Sequence, residues 1–147
     1  MSAELPRFPG FFEHLVGDGP EAVIYADAAG FICYWNAAAT RIFGFAEGEA
    51  IGARLDLIIP ERLRSRHWEG YDKVMGGAQS RYGSGALLAV PALHKDGRQI
   101  SIEFTILPLC SDAGTLLGIA AFLRDATAGF EEVRALRREL AALKQSR

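Results

Sequence analysis

The sequence predicts an α+β fold: a five-stranded antiparallel sheet in the order 2-1-5-4-3, short helices on one face, and flanking N- and C-terminal helices. Three observations carry this. Two short apolar runs, residues 22–26 and 31–35, flank an Asp27-Ala28-Ala29-Gly30 turn and read as a hairpin. Ile100, Ile102, Phe104 and Ile106 alternate with Ser101, Glu103 and Thr105, which gives a strand one dry and one wet face. The element order is two strands, several short helices, three strands and a long terminal helix.

Phe8, Phe11, Phe12, Leu15 and Val16 fall on one side of a helix over residues 8–16, and Gly17-Asp18-Gly19-Pro20 breaks it. After the hairpin, Asn36 caps an alanine-rich helix over 37–43. Gly44, Gly48 and Gly52 cut the next stretch into short helical pieces. Pro60 suits the first position of a helix running to about Met75, stopped by Gly76-Gly77. His67, Tyr71 and Val74 share one face of that helix. Three strands follow, over 86–92, 100–109 and 116–123, joined by turns at Asp96-Gly97 and Ser111-Asp112-Ala113-Gly114. From Thr127 the pattern is helical, with Gly129, Val133, Leu136, Leu140 and Leu143 spaced as a coiled-coil seam of about two heptads.

Composition narrows the function classes. Of 147 residues, 50% are hydrophobic and 23% charged, a balance that builds one core without metal or disulfide staples. The net charge of −2 argues against nucleic acid as a partner. The arginines at 134, 137 and 138 share their helix with Glu131, Glu132 and Glu139, as a solvated face does. No apolar run approaches membrane-spanning length and no signal peptide is evident, so a cytoplasmic location without membrane contact is expected. Cys33 and Cys110 sit in apolar segments and are expected to be buried and reduced. No cluster of nucleophile, base and orienting group is visible, so an enzyme is not expected.

Several landmarks resemble the PAS sensor family. Asp27-Ala28-Ala29-Gly30-Phe31-Ile32 before Trp35-Asn36 resembles the first PAS hairpin and its helix cap. Phe43-Gly44-Phe45 with Glu49-Ala50-Ile51-Gly52, then Lys95-Asp96-Gly97, then Arg124-Asp125-Ala126-Thr127 resemble later PAS elements in the family's order. The resemblance implies a PAS (profilin-like) fold in three parts: a helical cap over 1–19, the PAS domain over 20–127, and an amphipathic coiled-coil helix over 128–147.

Ile58-Ile59-Pro60-Glu61 and Arg64-Ser65-Arg66-His67 are similar to the haem-binding branch of rhizobial oxygen-sensor kinases, in which the matching histidine ligates iron. That resemblance implies haem b as cofactor and His67 as its metal ligand. Tyr71 would lie by the pocket, and Lys73 and Arg81 match positions that hold propionates, although both also suit ordinary solvated charge. Leu88 stands where the oxygen sensors carry an arginine, and with Phe104 and Ile106 it would make an apolar distal wall. Such a wall favours carbon monoxide, nitric oxide or redox sensing over dioxygen. Trp35, Trp68 and Tyr82 are read as packing or pocket residues, and Asp125 and Thr127 as caps of the last helix. The implied partners are a small ligand, a second copy in a homodimer and a separate signalling protein. The competing expectation is a cofactor-free PAS interaction module.

Overall fold

The computed structural model describes residues 7–77 and 86–146. Its sheet has five antiparallel strands in the order expected, β2-β1-β5-β4-β3, with β1 Ala22–Asp27, β2 Ile32–Trp35, β3 Leu88–Leu93, β4 Gln99–Cys110 and β5 Leu116–Asp125. The helices are α1 Phe11–Gly17, α2 Ala37–Phe43, α3 Glu47–Ala50, α4 Arg64–Met75 and α5 Thr127–Gln145. Pro91, which has no N–H to give a ladder, sits in the edge strand β3.

Cross-strand partners share a face, so the register defines the inner surface. Ala22, Ile24 and Ala26 of β1 stand opposite Leu123, Ala121 and Ile119 of β5. Phe104 and Ile106 of β4 stand opposite the same Leu123 and Ala121. Leu88, Val90 and Ala92 of β3 face Phe104, Ile102 and Ile100. The helical segment packs on this surface through Ala38, Ala39, Phe43, Ala50 and Ile58, all buried in one core with the sheet residues. At about 25 cal/mol per Å² of apolar surface removed from water, this cluster is the principal source of stability.

Asn36 is the polar strut of the fold. Its carboxamide oxygen accepts from Val23 N–H at 2.9 Å and from Ala39 N–H at 3.1 Å, the second of these capping α2. Its amide group donates to Val16 C=O at 2.9 Å and Glu21 C=O at 3.0 Å. One buried side chain thereby joins α1, β1 and α2, and its own polar atoms are satisfied, as burial requires.

The structure corrects several details of the sequence reading, with the first helix beginning at Phe11 rather than Phe8 and β3 at Leu88 rather than Ala86. Helix α4 begins at Arg64 and not at Pro60, because Pro60 is extended and Glu61–Leu63 form a separate 3₁₀ turn. The last two strands reach further than expected, to Cys110 and Asp125. Both cysteines are exposed, not buried. Cys33 is the extra residue of a bulge between the Ala26–Ile32 and Tyr25–Tyr34 pairs, so it lacks a partner on β1 and turns outward. Cys110 lies beyond the register shift at the far end of β4.

Candidate functional site

The site builds outward from α4. Arg64, its first residue, reaches back to donate to Ile59 C=O at 3.1 Å and Asp56 C=O at 3.3 Å, fixing the helix against the preceding turn. One turn on, Trp68 donates its indole N–H to the Asp56 carboxylate at 2.8 Å and carries the Arg54 guanidinium 4.2 Å from its ring centroid. The far edge of the indole lies over Gly30, the last residue of the hairpin turn. Gly30 has φ +86°, and a Cβ there would come within 2.1 Å of Trp68 Cη2. The turn glycine and the helix tryptophan are therefore one packing unit.

Tyr71 is buried, and its hydroxyl lies 2.5 Å from Asp27 C=O and 3.2 Å from Ala26 C=O. Burial first, and then the Asp27 charge, raise its pKa well above that of an ordinary phenol, so it remains a donor. Its polar end is committed to β1, and its ring packs with Ala26, Ile119, Val74, Met75 and Ile106. The face shared by His67, Tyr71 and Val74 thus meets the sheet at Ile106 and Ile119.

His67 differs from both neighbours. Its ring centroid is 4.7 Å from that of Trp68, in edge-on geometry, and 5.8 Å from that of Tyr71. Nδ1 is buried and has no hydrogen-bond partner, the single such side-chain nitrogen or oxygen among the described residues. An unsatisfied buried polar group costs roughly 1–3 kcal/mol, and the edge-on contact with Trp68 recovers only part of that. Burial lowers the imidazole pKa below its ordinary 6.5, with Arg54 adding to the effect and the Asp56 and Asp72 charges opposing it. The ring is therefore neutral at pH 7, the state in which a histidine nitrogen can bind a metal.

That shift has a measurable consequence. A depressed folded-state pKa means the native form resists protonation that the unfolded chain accepts. The contribution is fully present above about pH 6.5 and is lost as pH falls through the folded value. Urea titrations between pH 7.5 and 5 are expected to show stability falling in acid, with a shallower fall in His67→Ala.

Leu88, Phe104 and Ile106 are half-buried on the inner face, with Leu88 directly opposite Phe104. Lys73 is exposed. Arg81 and Tyr82 lie outside the described residues. Sequence reasoning missed Arg54 and Asp56, which brace Trp68 from a segment that carries no motif. The signal available was the tryptophan itself, whose indole N–H needs an acceptor when buried.

A cavity of about 290 Å³ lies elsewhere, at the junction of α1, β2 and α2, bordered by Asp18, Tyr34, Asn36, Thr40 and Glu47. Its buried polar residue, Asn36, is already paired as above, and the half-buried Thr40 accepts from the Trp35 indole N–H at 3.0 Å. No group of three or more histidine, cysteine or acidic side chains is placed to cage a metal among the described residues. Haem asks for less, since its macrocycle supplies four nitrogens and the protein need add only one axial ligand. A neutral imidazole with an unpartnered buried nitrogen meets the ligand part of that requirement.

No helix among the described residues is long and apolar enough to cross a membrane. Comparison with known proteins agrees with the architecture. Among solved structures, an RNA-binding Light-Oxygen-Voltage receptor superposes with a TM-score of 0.72 at 20% identity, covering 96% of this chain and 40% of that one. A PAS domain from Colwellia psychrerythraea gives 0.67 at 20% identity, covering 80% and 95%. In sequence, the sensor protein FixL of Bradyrhizobium diazoefficiens is 46% identical over 48 residues, 33% of this chain and 10% of that protein. An uncharacterised protein of Azorhizobium caulinodans is 34% identical over 119 residues, 80% of this chain and 16% of that one. The chain thus spans only a small part of either relative. A family model described as the PAS fold matches residues 17–129. With the sheet order, the hairpin and the closing Asp125–Thr127 junction all in place, the chain belongs to the PAS-fold family of sensory and signalling domains.

Proposed function

We propose that this chain is a non-enzymatic sensory module that holds haem b through His67, reports a diatomic gas or redox change, and signals through a homodimer or a separate partner protein. The observation that carries this reading is the buried, unpartnered Nδ1 of His67 in an imidazole that burial keeps neutral. The local similarity to the sensor protein FixL supports it. Bound haem would supply an iron centre able to take a diatomic ligand. The chain would supply a ligating nitrogen from His67, and an apolar, water-excluding wall from Leu88, Phe104 and Ile106. Lys73, which is exposed, and Arg81 would offer cationic ends to the propionates. Ligand-dependent pressure on the inner sheet face would pass along β4 and β5 to α5. Its first residue is tied to β4, where Ser101 N–H donates to Thr127 Oγ1 at 3.1 Å.

A second reading is favoured by Tyr71, whose hydroxyl and ring are already used by β1 and the sheet. In a cofactor-free interaction module that packing would be permanent. Titrating the purified chain with hemin and recording the absorbance spectrum separates the two. A saturable Soret band at one hemin per chain supports the sensor, and no uptake supports the interaction module.

The wall predicts the ligand. Leu88 has no hydrogen-bond donor, so a wall built on it would favour carbon monoxide, which needs little such help, over dioxygen. The ferrous protein is expected to hold carbon monoxide and to autoxidise rapidly in air, and Leu88→Arg to slow that autoxidation. An unchanged rate in Leu88→Arg would remove Leu88 from the distal wall.

A further inference from the structure

The fold holds the Arg54 guanidinium in place without pairing it. The backbone at Arg54 is pinned beside the hairpin by an isolated bridge to Phe31. On either side of it Leu55 N–H donates to Gly30 C=O at 3.0 Å, and Ala53 C=O accepts from Ile32 N–H at 2.8 Å. The side chain lies against two aromatic rings from different elements. Its guanidinium carbon is 4.2 Å from the Trp68 ring centroid and 5.9 Å from that of Phe31. An arginine held over rings engages them through its flat face and keeps its N–H groups at the edge.

Among the described residues those N–H groups have no hydrogen-bond or ion-pair partner. Asp56 has its carboxylate committed elsewhere, accepting from the Trp68 indole at 2.8 Å and facing Arg64 Nε at 4.0 Å. The next two arginines along the chain are both occupied, Arg62 with Gln99 at 2.8 Å and Arg64 with the Ile59 and Asp56 carbonyls.

The Trp68 indole is the common neighbour of Arg54 and His67, its ring centroid lying 4.7 Å from that of the imidazole. The Arg54 charge is felt at that imidazole, where it favours the neutral form. A ligand bound through His67 would bring its periphery to a fixed cation with open donors. A carboxylate is the group such a cation selects, because the planar fork matches its oxygens and the pair is charge-assisted. Lys73, exposed on α4, has no ring over which it is held among the described residues, so its flexible stem loses freedom when it pairs.

We propose that Arg54 is the carboxylate-recognising residue of the His67 site, so that the site selects haem with free propionates over its neutral ester. This rests on the haem reading of the proposed function and adds to it a residue that sets ligand specificity.

Hemin and hemin dimethyl ester, whose carboxylates are blocked, are titrated separately into the full chain. Each dissociation constant is read from tryptophan quenching and Soret absorbance, with circular dichroism confirming that every variant is folded. The wild type is expected to bind hemin at least about tenfold more tightly than the ester, equal to about 1.4 kcal/mol. Arg54→Gln should remove most of that preference by weakening hemin while leaving the ester unchanged. Arg54→Lys restores the charge without the flat stacking plane, and should recover only part of it. Lys73→Gln should lower the preference less than Arg54→Gln does. If Arg54→Gln weakens both ligands alike, its role is packing on Trp68 and the proposal is overturned. A wild type that binds hemin and ester equally also overturns it, and leaves His67 as the ligand. Uptake of neither by the wild type overturns the haem reading and this inference together.

Discussion

Replacing His67 with alanine is expected to abolish stoichiometric hemin uptake and its Soret band while leaving the far-ultraviolet circular dichroism of the domain unchanged. No other histidine can take over. His14 is exposed and bonded to Asp18 at 2.8 Å, and His94 lies by the β3–β4 turn with Nδ1 3.1 Å from the Asp96 carboxylate. A second substitution tells binding apart from packing. His67→Leu keeps an apolar group of similar bulk and removes the unsatisfied nitrogen, so the ligand-free protein should be equally stable or gain about 1 kcal/mol. A residue kept for function at some cost to stability behaves this way. A loss of more than about 2 kcal/mol in His67→Leu would mark the imidazole as a packing element. A Soret band that survived in His67→Ala would move the ligand to another side chain.

The parts of this fold that show in the sequence are those set by local chemistry. The alternation from Ile100 to Ile106 could only be a strand with one dry face, and the structure places Ile100 and Ile102 in the core. Asn36 after Trp35 read as a cap, and it is one, but its amide bonds to Val16 and Glu21 come from residues far along the chain that no window reveals. The grouping of His67 with Tyr71 on one side of the helix also followed from spacing. The missing hydrogen-bond partner of His67 did not, because that depends on what Arg54, Asp56 and Trp68 do with their own polar atoms. The exposed Cys33 shows the converse failure. Its neighbours Ile32, Tyr34 and Trp35 read as apolar strand, and a one-residue bulge then turned the sulfur to solvent. A bulge leaves the composition of a strand unchanged, so periodicity alone cannot find it.

Gly30→Ala should be among the most damaging small substitutions in the chain, and its effect should reach the histidine. Two costs combine. At φ +86° an alanine sits in the left-handed region, at about 1–2 kcal/mol. Its Cβ would also meet the Trp68 ring at 2.1 and 2.2 Å, far inside contact distance. The indole cannot simply step aside, because Asp56 holds its N–H and Arg54 covers its face. Either the hairpin turn or α4 must move, and overpacking of this kind typically costs a further 1–3 kcal/mol. The sum, about 2–5 kcal/mol, is a large share of the stability of a domain this size. Since Trp68 adjoins His67 on α4, the displacement should also weaken hemin uptake even in the fraction that stays folded. The two terms separate in a double-mutant cycle with Trp68→Leu. That variant removes the obstacle, so Gly30→Ala in its background should retain only the backbone cost, and the coupling energy should be about 1–3 kcal/mol. Urea denaturation of the four proteins measures it. Additive losses would mean that the turn and the helix do not share a contact, and the indole would no longer be the brace that positions the imidazole.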